Sequence, residues 1–402
     1  MNQEKKLMLL GGSRFLIPVI EAAHKLNCHV ITCDYLPNNI AHKFSDQYVN
    51  VSIIDKNAVL EKAIELNIDG IMSFACDPGV STAAYVAEKM GLPSVGSYES
   101  VSILQNKGLF RNFLKLNGFK VPFAKFYSDK TTALKESKTI DYPVIVKPTD
   151  SAGSKGVTRV DSYEDLSEAI DLAISFSIEK QFIIEKFLVP IGSPSDCDCF
   201  SVDGELRFIS FNSQLFDSSC ANPYTPAAYT WPSSISDKNK ESITAEVQRL
   251  IKLLGLKSSI YNLECRECTD GIAYIMELSP RGGGNRLAEM IKYGSEIDLI
   301  TCAVKAALGY KIDKIEQADF KGYWSEVILH SIKSGKFTGI DIDESLSNNV
   351  FELDLWVSKG DTIENFSAAN KAIGTIVLRF DNKEDMNAIM QNPYRYITIK
   401  VE

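Results

Sequence analysis

Two rhythms of apolar and polar positions alternate over the first hundred residues. KLMLLGG, CHVITCDY and DGIMSFA are short apolar runs that read as strands, whereas LIPVIEAAHKL, AVLEKAIELN and GVSTAAYVAEKMG repeat apolar residues at helical spacing. Strands separated by helices predict a parallel sheet covered on its faces, with ligands gathering at the strand carboxyl ends. Gly11, Gly12 and Ser13 follow the first strand, Asp34 ends the second and Asp77 follows the third. The GGS run fits a tight strand-to-helix turn as well as it fits a ligand contact.

The rhythm changes at LPSVGSYESVSILQNKGLFRNFLKLNGFKVP, where Pro93 and Gly96 precede a helix-period run that stops at Gly118. This marks a junction and a helical lead-in. Strand-rich blocks follow over about 120–188 and 196–310, and the tail from about 325 holds short strand-like runs such as TIVLRF and YITIKV. The expected division is 1–100 as an α/β domain, 101–310 as a two-lobed domain (about 120–188 and 189–310), and 311–402 as a small β-rich domain.

Composition narrows the function. The 402 residues are 45% hydrophobic and 24% charged, ordinary for a multidomain globular chain. A formal charge of -9 disfavours a nucleic-acid groove, which needs a basic surface. No apolar stretch reaches the length of a signal peptide or membrane span, so a cytoplasmic protein is expected. Nine cysteines without a regular framework fit a reducing compartment. Cys197-x-Cys199 and Cys265-x-x-Cys268 have metal-like spacing, yet none of the four histidines adjoins them, so strand and turn cysteines are expected there.

The chemistry concentrates in three stretches. In YPVIVKPTDSAGSKGV, Lys147 ends an apolar run and Ser151 to Gly156 form a glycine-rich loop before VTRV, a second strand-like run. A P-loop would need its lysine after the glycines and a helix behind it. A hairpin flap over phosphates, offering backbone N–H groups and the Ser151 and Ser154 hydroxyls, suits this order better, with a plain hairpin turn as the alternative. QFIIEKFL reads as a strand that could continue as a hinge. In YNLECRECTDGIAYIMELSPRGGGNR, Glu264 and Glu277 flank the turn signal TDG within apolar runs, which sets them side by side on paired strands. Adjacent carboxylates repel unless a cation sits between them or one is protonated, and magnesium takes carboxylate and phosphate oxygens together. Arg281 and the three glycines after it offer a guanidinium and close backbone approach to an anion.

Taken together, these stretches resemble the ATP-grasp superfamily, in the subset running from biotin carboxylase and carbamoyl-phosphate synthetase to the purine-pathway ribonucleotide ligases. The resemblance covers nearly the whole chain and implies a multidomain α/β and α+β fold. Its parts would be an N-terminal parallel α/β pre-grasp domain, a two-lobed grasp domain with antiparallel sheets, and a small C-terminal β-rich domain. It implies ATP with Mg2+ or Mn2+ as cofactors. Lys107 and Lys147 become nucleotide contacts, and Ser151, Gly153, Ser154 and Gly156 the phosphate flap. Glu185, Lys186, Phe187 and Leu188 match the hinge, and Glu264 and Glu277 the metal ligands. Arg281, with Lys147 and Ser154, would act on the reacting phosphate.

Two positions depart from the family pattern. The glutamate that follows the hinge and holds the ribose is missing from VPIGSPSDCDCF, leaving Asp196 or Asp198 for that contact. Ser279 stands where an asparagine metal ligand is usual, with magnesium expected to be retained. Gly11, Gly12, Ser13, Asp34, Asp77, Gly283, Asn285 and Arg286 are the candidate substrate contacts. The implied reaction turns a carboxylate into an acyl phosphate for attack by an amine. The substrates would be purine precursors, as in phosphoribosylglycinamide synthesis, or amino acids and cell-surface metabolites. A catalytically silent ATP-binding module is the alternative of another class. A homodimer binding small molecules, with no nucleic acid and no membrane, completes the expectation.

Overall fold

The computed structural model describes residues 4–151, 155–312 and 314–402. Lys5–Leu10, Cys28–Cys33 and Gly70–Ser73 form the expected parallel sheet, joined at its edge by Gln47–Val49. That edge strand has only three residues, too few for a periodicity signal. Leu7, Met8, Leu9 and Leu10 are fully buried, as strands with helices on both faces require. Helices Ile17–Lys25 and Lys56–Leu66 connect strands and helix Asp77–Met90 follows the last one, the latter two helices ending at left-handed Asn67 and Gly91. The core on one face continues into helix Leu299–Ala307, whose Ala307 carbonyl lies 2.4 Å from where a Cβ on Gly70 would stand. Only glycine permits that approach.

The lead-in is two helices, Tyr98–Gln105 and Lys107–Leu116. Asn106 separates them and caps the second, its side chain accepting from the N–H groups of Gly108 and Leu109. An antiparallel sheet follows in the order Ala124–Tyr127, Phe182–Lys186, Val144–Pro148, Thr158–Val160. A second antiparallel sheet runs Glu205–Ile209, Ser195–Val202, Ser259–Glu267, Ala273–Ser279 and packs against helix Asp237–Leu253. The first sheet packs one face on helix Leu166–Phe176, and the second buries Phe200, Phe208 and Ile260 of its other face in the core shared with helix Leu299–Ala307. Glu264 and Glu277 stand at the cleft between the two sheets, within reach of Lys107 and the Lys147 charge.

The C-terminal sheet recruits strands from far upstream. Ser213–Phe216 is the edge strand and pairs with Pro226–Trp231, which pairs with Tyr323–Leu329, and the sheet continues to Gly374–Phe380 and Val350–Leu355. Its hydrophobic core therefore includes Ala228 along with Val327, Ile376 and Leu378. No helix among the described residues is long and apolar enough to cross a membrane.

Candidate active site

Strand Val144–Pro148 buries Val144 and Val146 and turns Ile145 and Lys147 the other way, the alternation inherent in a strand. Glu185 pairs across from Ile145 and so shares the face of Lys147. Its carboxylate is held from both sides, by Lys147 Nζ at 2.5 Å and Arg111 Nε at 2.6 Å. Burial works against ionising Glu185, but the charges of Arg111 and Lys147 outweigh it and hold its carboxyl at about 2. Burial also draws Lys147 below its ordinary value despite its partner. Arg111 Nη1 and Nη2 are buried with no protein partner among the described residues. The sequence reading missed Arg111, although it lies one helical turn after Lys107 on the same face.

The hairpin reading of the glycine-rich loop holds on both described flanks, since Val146 pairs with Thr158 in antiparallel register. Gly153 and Ser154 lie outside the described residues. Gly156 has φ +70°, and Ser151 offers its carbonyl to Lys107 Nζ at 3.0 Å. Along the hinge, Lys186 N–H donates to Phe123 and Phe187 N–H to Pro143. Leu188 packs with Cys268 and Tyr274.

Glu264 and Glu277 stand directly opposite each other on Ser259–Glu267 and Ala273–Ser279. Lys107 Nζ lies 3.4 Å from Glu277, and Arg266 Nη2 donates to Glu264 at 2.9 Å. Burial opposes the Glu264 charge, but Arg266 and the two lysines hold its carboxyl below the ordinary range. Lys107 is half-buried, and although desolvation opposes its charge, Glu277 with Asp77 holds its pKa above the ordinary value. Two facing carboxylates rich in free oxygen lone pairs, with lysines at hand for phosphates, fit a magnesium–nucleotide complex. Ser279 faces elsewhere in hydrogen bonding: it accepts from Gln105 Nε2 at 2.8 Å and donates to Asp77 Oδ1 at 3.0 Å.

Arg281 is fixed by Asp77, donating from Nε to Oδ1 and from Nη2 to Oδ2, both at 2.8 Å. The pairing holds Asp77 ionised against the cost of its burial and leaves N–H groups on Nη1 and Nη2 for an incoming anion. The glycines after Arg281 allow the loop to lie flat. A Cβ on Gly282 would stand 2.3 Å from the Phe74 ring, and one on Gly283 would meet Leu287, Asn262 and Asp198 within 3.0 Å.

Asp198 does not fit the ribose contact expected of it. Its carboxylate is fully buried beneath this loop, accepting from Gly283 N–H at 2.8 Å and Asn262 Nδ2 at 3.2 Å. Asp196 lies beside it, bound by Asn262 and by the Tyr229 hydroxyl at 3.1 Å. Burial pushes the two carboxyls up, Asp196 to about 6 and Asp198 to about 7. Asn262, Arg266, Tyr229 and Gln105 went unnoticed in the sequence. Asn262 and Arg266 flank Glu264 at alternate positions of one strand, which was the available signal.

The substrate candidates split into two groups. Asn285 donates to the Tyr229 hydroxyl at 3.0 Å, which ties the loop to Asp196. Arg286 is neutralised by Glu289 and by Glu352 of the C-terminal part, the latter at 2.5 Å. Gly12 and Asp34 have local roles, whereas Ser13 Oγ is buried with no partner among the described residues. A Cβ on Gly12 would strike Asn39 and His42 at 2.6–2.7 Å, and Asp34 accepts from Asn39 Nδ2 at 2.7 Å. Beside them, a cavity of about 400 Å³ runs between the first domain and the C-terminal part, lined by Arg14, Glu21, Lys25, Arg286, Glu289 and Trp356 among others.

The family model for the ATP-grasp domain matches residues 140–289. Formate-dependent phosphoribosylglycinamide formyltransferase of Synechococcus sp. (strain CC9311) is 25% identical over 353 residues, covering 85% of this chain and 86% of the relative. Among solved structures, the L-amino acid ligase from Bacillus licheniformis superposes with a TM-score of 0.83 at 20% identity, over the whole of both chains. Phosphoribosylglycinamide synthetase from Anaerococcus prevotii does so with a TM-score of 0.76, also at 20% identity and over the whole of both. At these identities the structural likeness establishes the fold. The chain carries an ATP-grasp domain, and its fold is that of the ATP-grasp ligases.

Proposed function

We propose that the chain is an ATP- and magnesium-dependent ligase that converts a carboxylate to an acyl phosphate and joins it to an amine. The observation that carries this reading is the direct opposition of Glu264 and Glu277, with Lys107 Nζ 3.4 Å from Glu277. Magnesium held by the two glutamates would neutralise charge developing on the transferred phosphoryl group. Lys107, and Lys147 steadied by Glu185, bind the phosphates, and the hinge backbone holds the adenine edge. Arg281, oriented by Asp77, presents its remaining N–H groups to the acyl phosphate. The carboxylate oxygen takes the γ-phosphoryl group as ADP leaves, and the amine nitrogen then attacks the acyl carbon and expels phosphate. Phosphoryl transfer asks mainly for positioning and charge neutralisation, which these fixed ion pairs supply.

For the substrate, the formyltransferase relatives support a purine-pathway ribonucleotide. In the 400 Å³ cavity, Arg286 is paired with Glu289 and Glu352, and Lys292 with Asp298, while Arg14 and Lys25 in the same lining supply positive charge for an anionic group of the substrate. A cytoplasmic location, supported by nine free cysteines, and the homodimer implied by the resemblance belong to the same proposal.

Hydroxylamine tests the acyl phosphate. With ATP, magnesium and pools of candidate carboxylates, it should trap a hydroxamate from one pool. ATP binding without hydroxamate from any pool would favour a silent nucleotide-binding module.

A further inference from the structure

Asp217, Cys220 and His330 converge in the C-terminal sheet, away from every group assigned above. Asp217 follows strand Ser213–Phe216, and His330 follows strand Tyr323–Leu329. Their ligand atoms lie within 4.8 Å of one another. His330 Nε2 is 3.2 Å from Asp217 Oδ2 and 3.2 Å from Cys220 Sγ.

The proton on the imidazole decides what this arrangement means. His330 Nδ1 lies 2.8 Å from the Ile328 carbonyl, which can only accept, so Nδ1 carries the hydrogen. In the neutral ring Nε2 is then a lone pair facing a carboxylate oxygen, and the Cys220 thiol beside them has one proton for the two acceptors, so one of them stays unsatisfied. A Cys–His–Asp relay would need the carboxylate on the opposite ring nitrogen. A cation between Nε2, Oδ2 and Sγ satisfies both acceptors and uses all three lone pairs.

The surroundings are those of a metal site. A backbone carbonyl orients the histidine through its far nitrogen, and the second carboxylate oxygen, Oδ1, accepts from Ser219 N–H at 2.9 Å. Phe366 stacks on the imidazole at 4.2 Å between centroids and holds the ring plane. In a tetrahedral zinc site, bonds of about 2.0–2.3 Å put ligand atoms about 3.3–3.7 Å apart, so the present spacing needs only a small expansion. One nitrogen, one sulfur and one oxygen ligand select zinc over magnesium.

We propose that Asp217, Cys220 and His330 form a binding site for a thiophilic divalent cation of the zinc class, with water as the fourth ligand. Binding replaces the Cys220 thiol proton, which passes to solvent. The metal would pin the 217–225 connection to the end of strand Tyr323–Leu329. That connection joins the strands carrying Gln214 and Tyr229, both hydrogen bonded to Asp196. The site thus braces the wall of the cleft without touching the nucleotide apparatus.

Cobalt(II) titrated into the chelator-stripped protein tests this. A sulfur-to-cobalt charge-transfer band should saturate at one ion per chain, and zinc should displace it. The glutamate pair, having no thiolate, cannot produce that band. Cys220→Ala should abolish it. Asp217→Asn, which keeps the thiolate, should retain the band and weaken cobalt binding at least tenfold, and serves if the alanine variant fails to fold. No band in the unaltered protein, a band that survives Cys220→Ala, or unchanged affinity in Asp217→Asn would overturn the proposal and leave an ordinary aspartate–imidazolium pair.

Discussion

Arg281 and Asp77 meet through two parallel hydrogen bonds of 2.8 Å, although they lie 204 positions apart. Asp77 opens the helix that follows the last strand of the parallel sheet, so the arginine assigned to the acyl phosphate is aimed by an element distant in sequence. Removing the carboxylate leaves a buried guanidinium unpaired, which costs about 3–5 kcal/mol. Asp77→Ala should therefore lower the melting temperature and reduce turnover at least tenfold, while nucleotide affinity stays within a few-fold of the original. Nucleotide binding lost in parallel with turnover would show that Asp77 supports the whole cleft and not Arg281 in particular.

Lys147→Ala should weaken ATP binding at least tenfold, measured by calorimetry, in a folded protein. The fold is expected to survive because Arg111 still compensates Glu185, the only carboxylate Lys147 is bound to among the described residues. Unchanged affinity would remove Lys147 from the nucleotide site.

Glu185 predicts a pH dependence with the opposite sign to that of Asp198. Its carboxyl is held at about 2, below the ordinary 4.5, so the folded state binds fewer protons there than the unfolded state. The stability it contributes is complete above 4.5 and is lost as pH falls toward 2. Glu185→Gln should lower stability at pH 7 and flatten the loss between pH 4.5 and 2. Equal acid sensitivity in both proteins, followed by denaturant unfolding, would contradict the pairing.

Asp198 is pushed up from 3.8 to about 7 by burial, the nearby Asp196 charge adding to it against the Gly283 N–H. The folded protein keeps a proton that the unfolded chain releases, so stability falls as pH rises from 3.8 through about 7. Asn cannot ionise and can still accept from Gly283. Asp198→Asn should melt higher than the original protein at pH 8, with the gap closing toward pH 5. A variant less stable at pH 8 would mean that the carboxylate is paired in the folded protein.

How much of this could be read from the chain depended on sequence separation. Glu264 and Glu277 sit on neighbouring strands joined by TDG, so their opposition followed from alternation and one turn signal. The hairpin pairing on either side of the glycine-rich loop was legible because Lys147 and the returning strand enclose it within a dozen residues. Arg111 was readable in principle from its four-residue step from Lys107. Asp77 was noticed as a strand-end acid, but nothing local pairs it with Arg281. The strand at 226–231 finds its second partner about a hundred residues downstream, and Asp217, Cys220 and His330 converge only through that pairing. Short edge strands and long-range register carry no periodic signal of their own.

Magnesium-dependent ADP release, measured over combined pools of carboxylates and amines, tests the ligase reading most directly. A pair of pools should drive release that requires both partners, and Glu277→Gln should abolish it at an unchanged melting temperature. Release that ignores the amine or persists in Glu277→Gln, or ATP binding with no release from any pair, would contradict it.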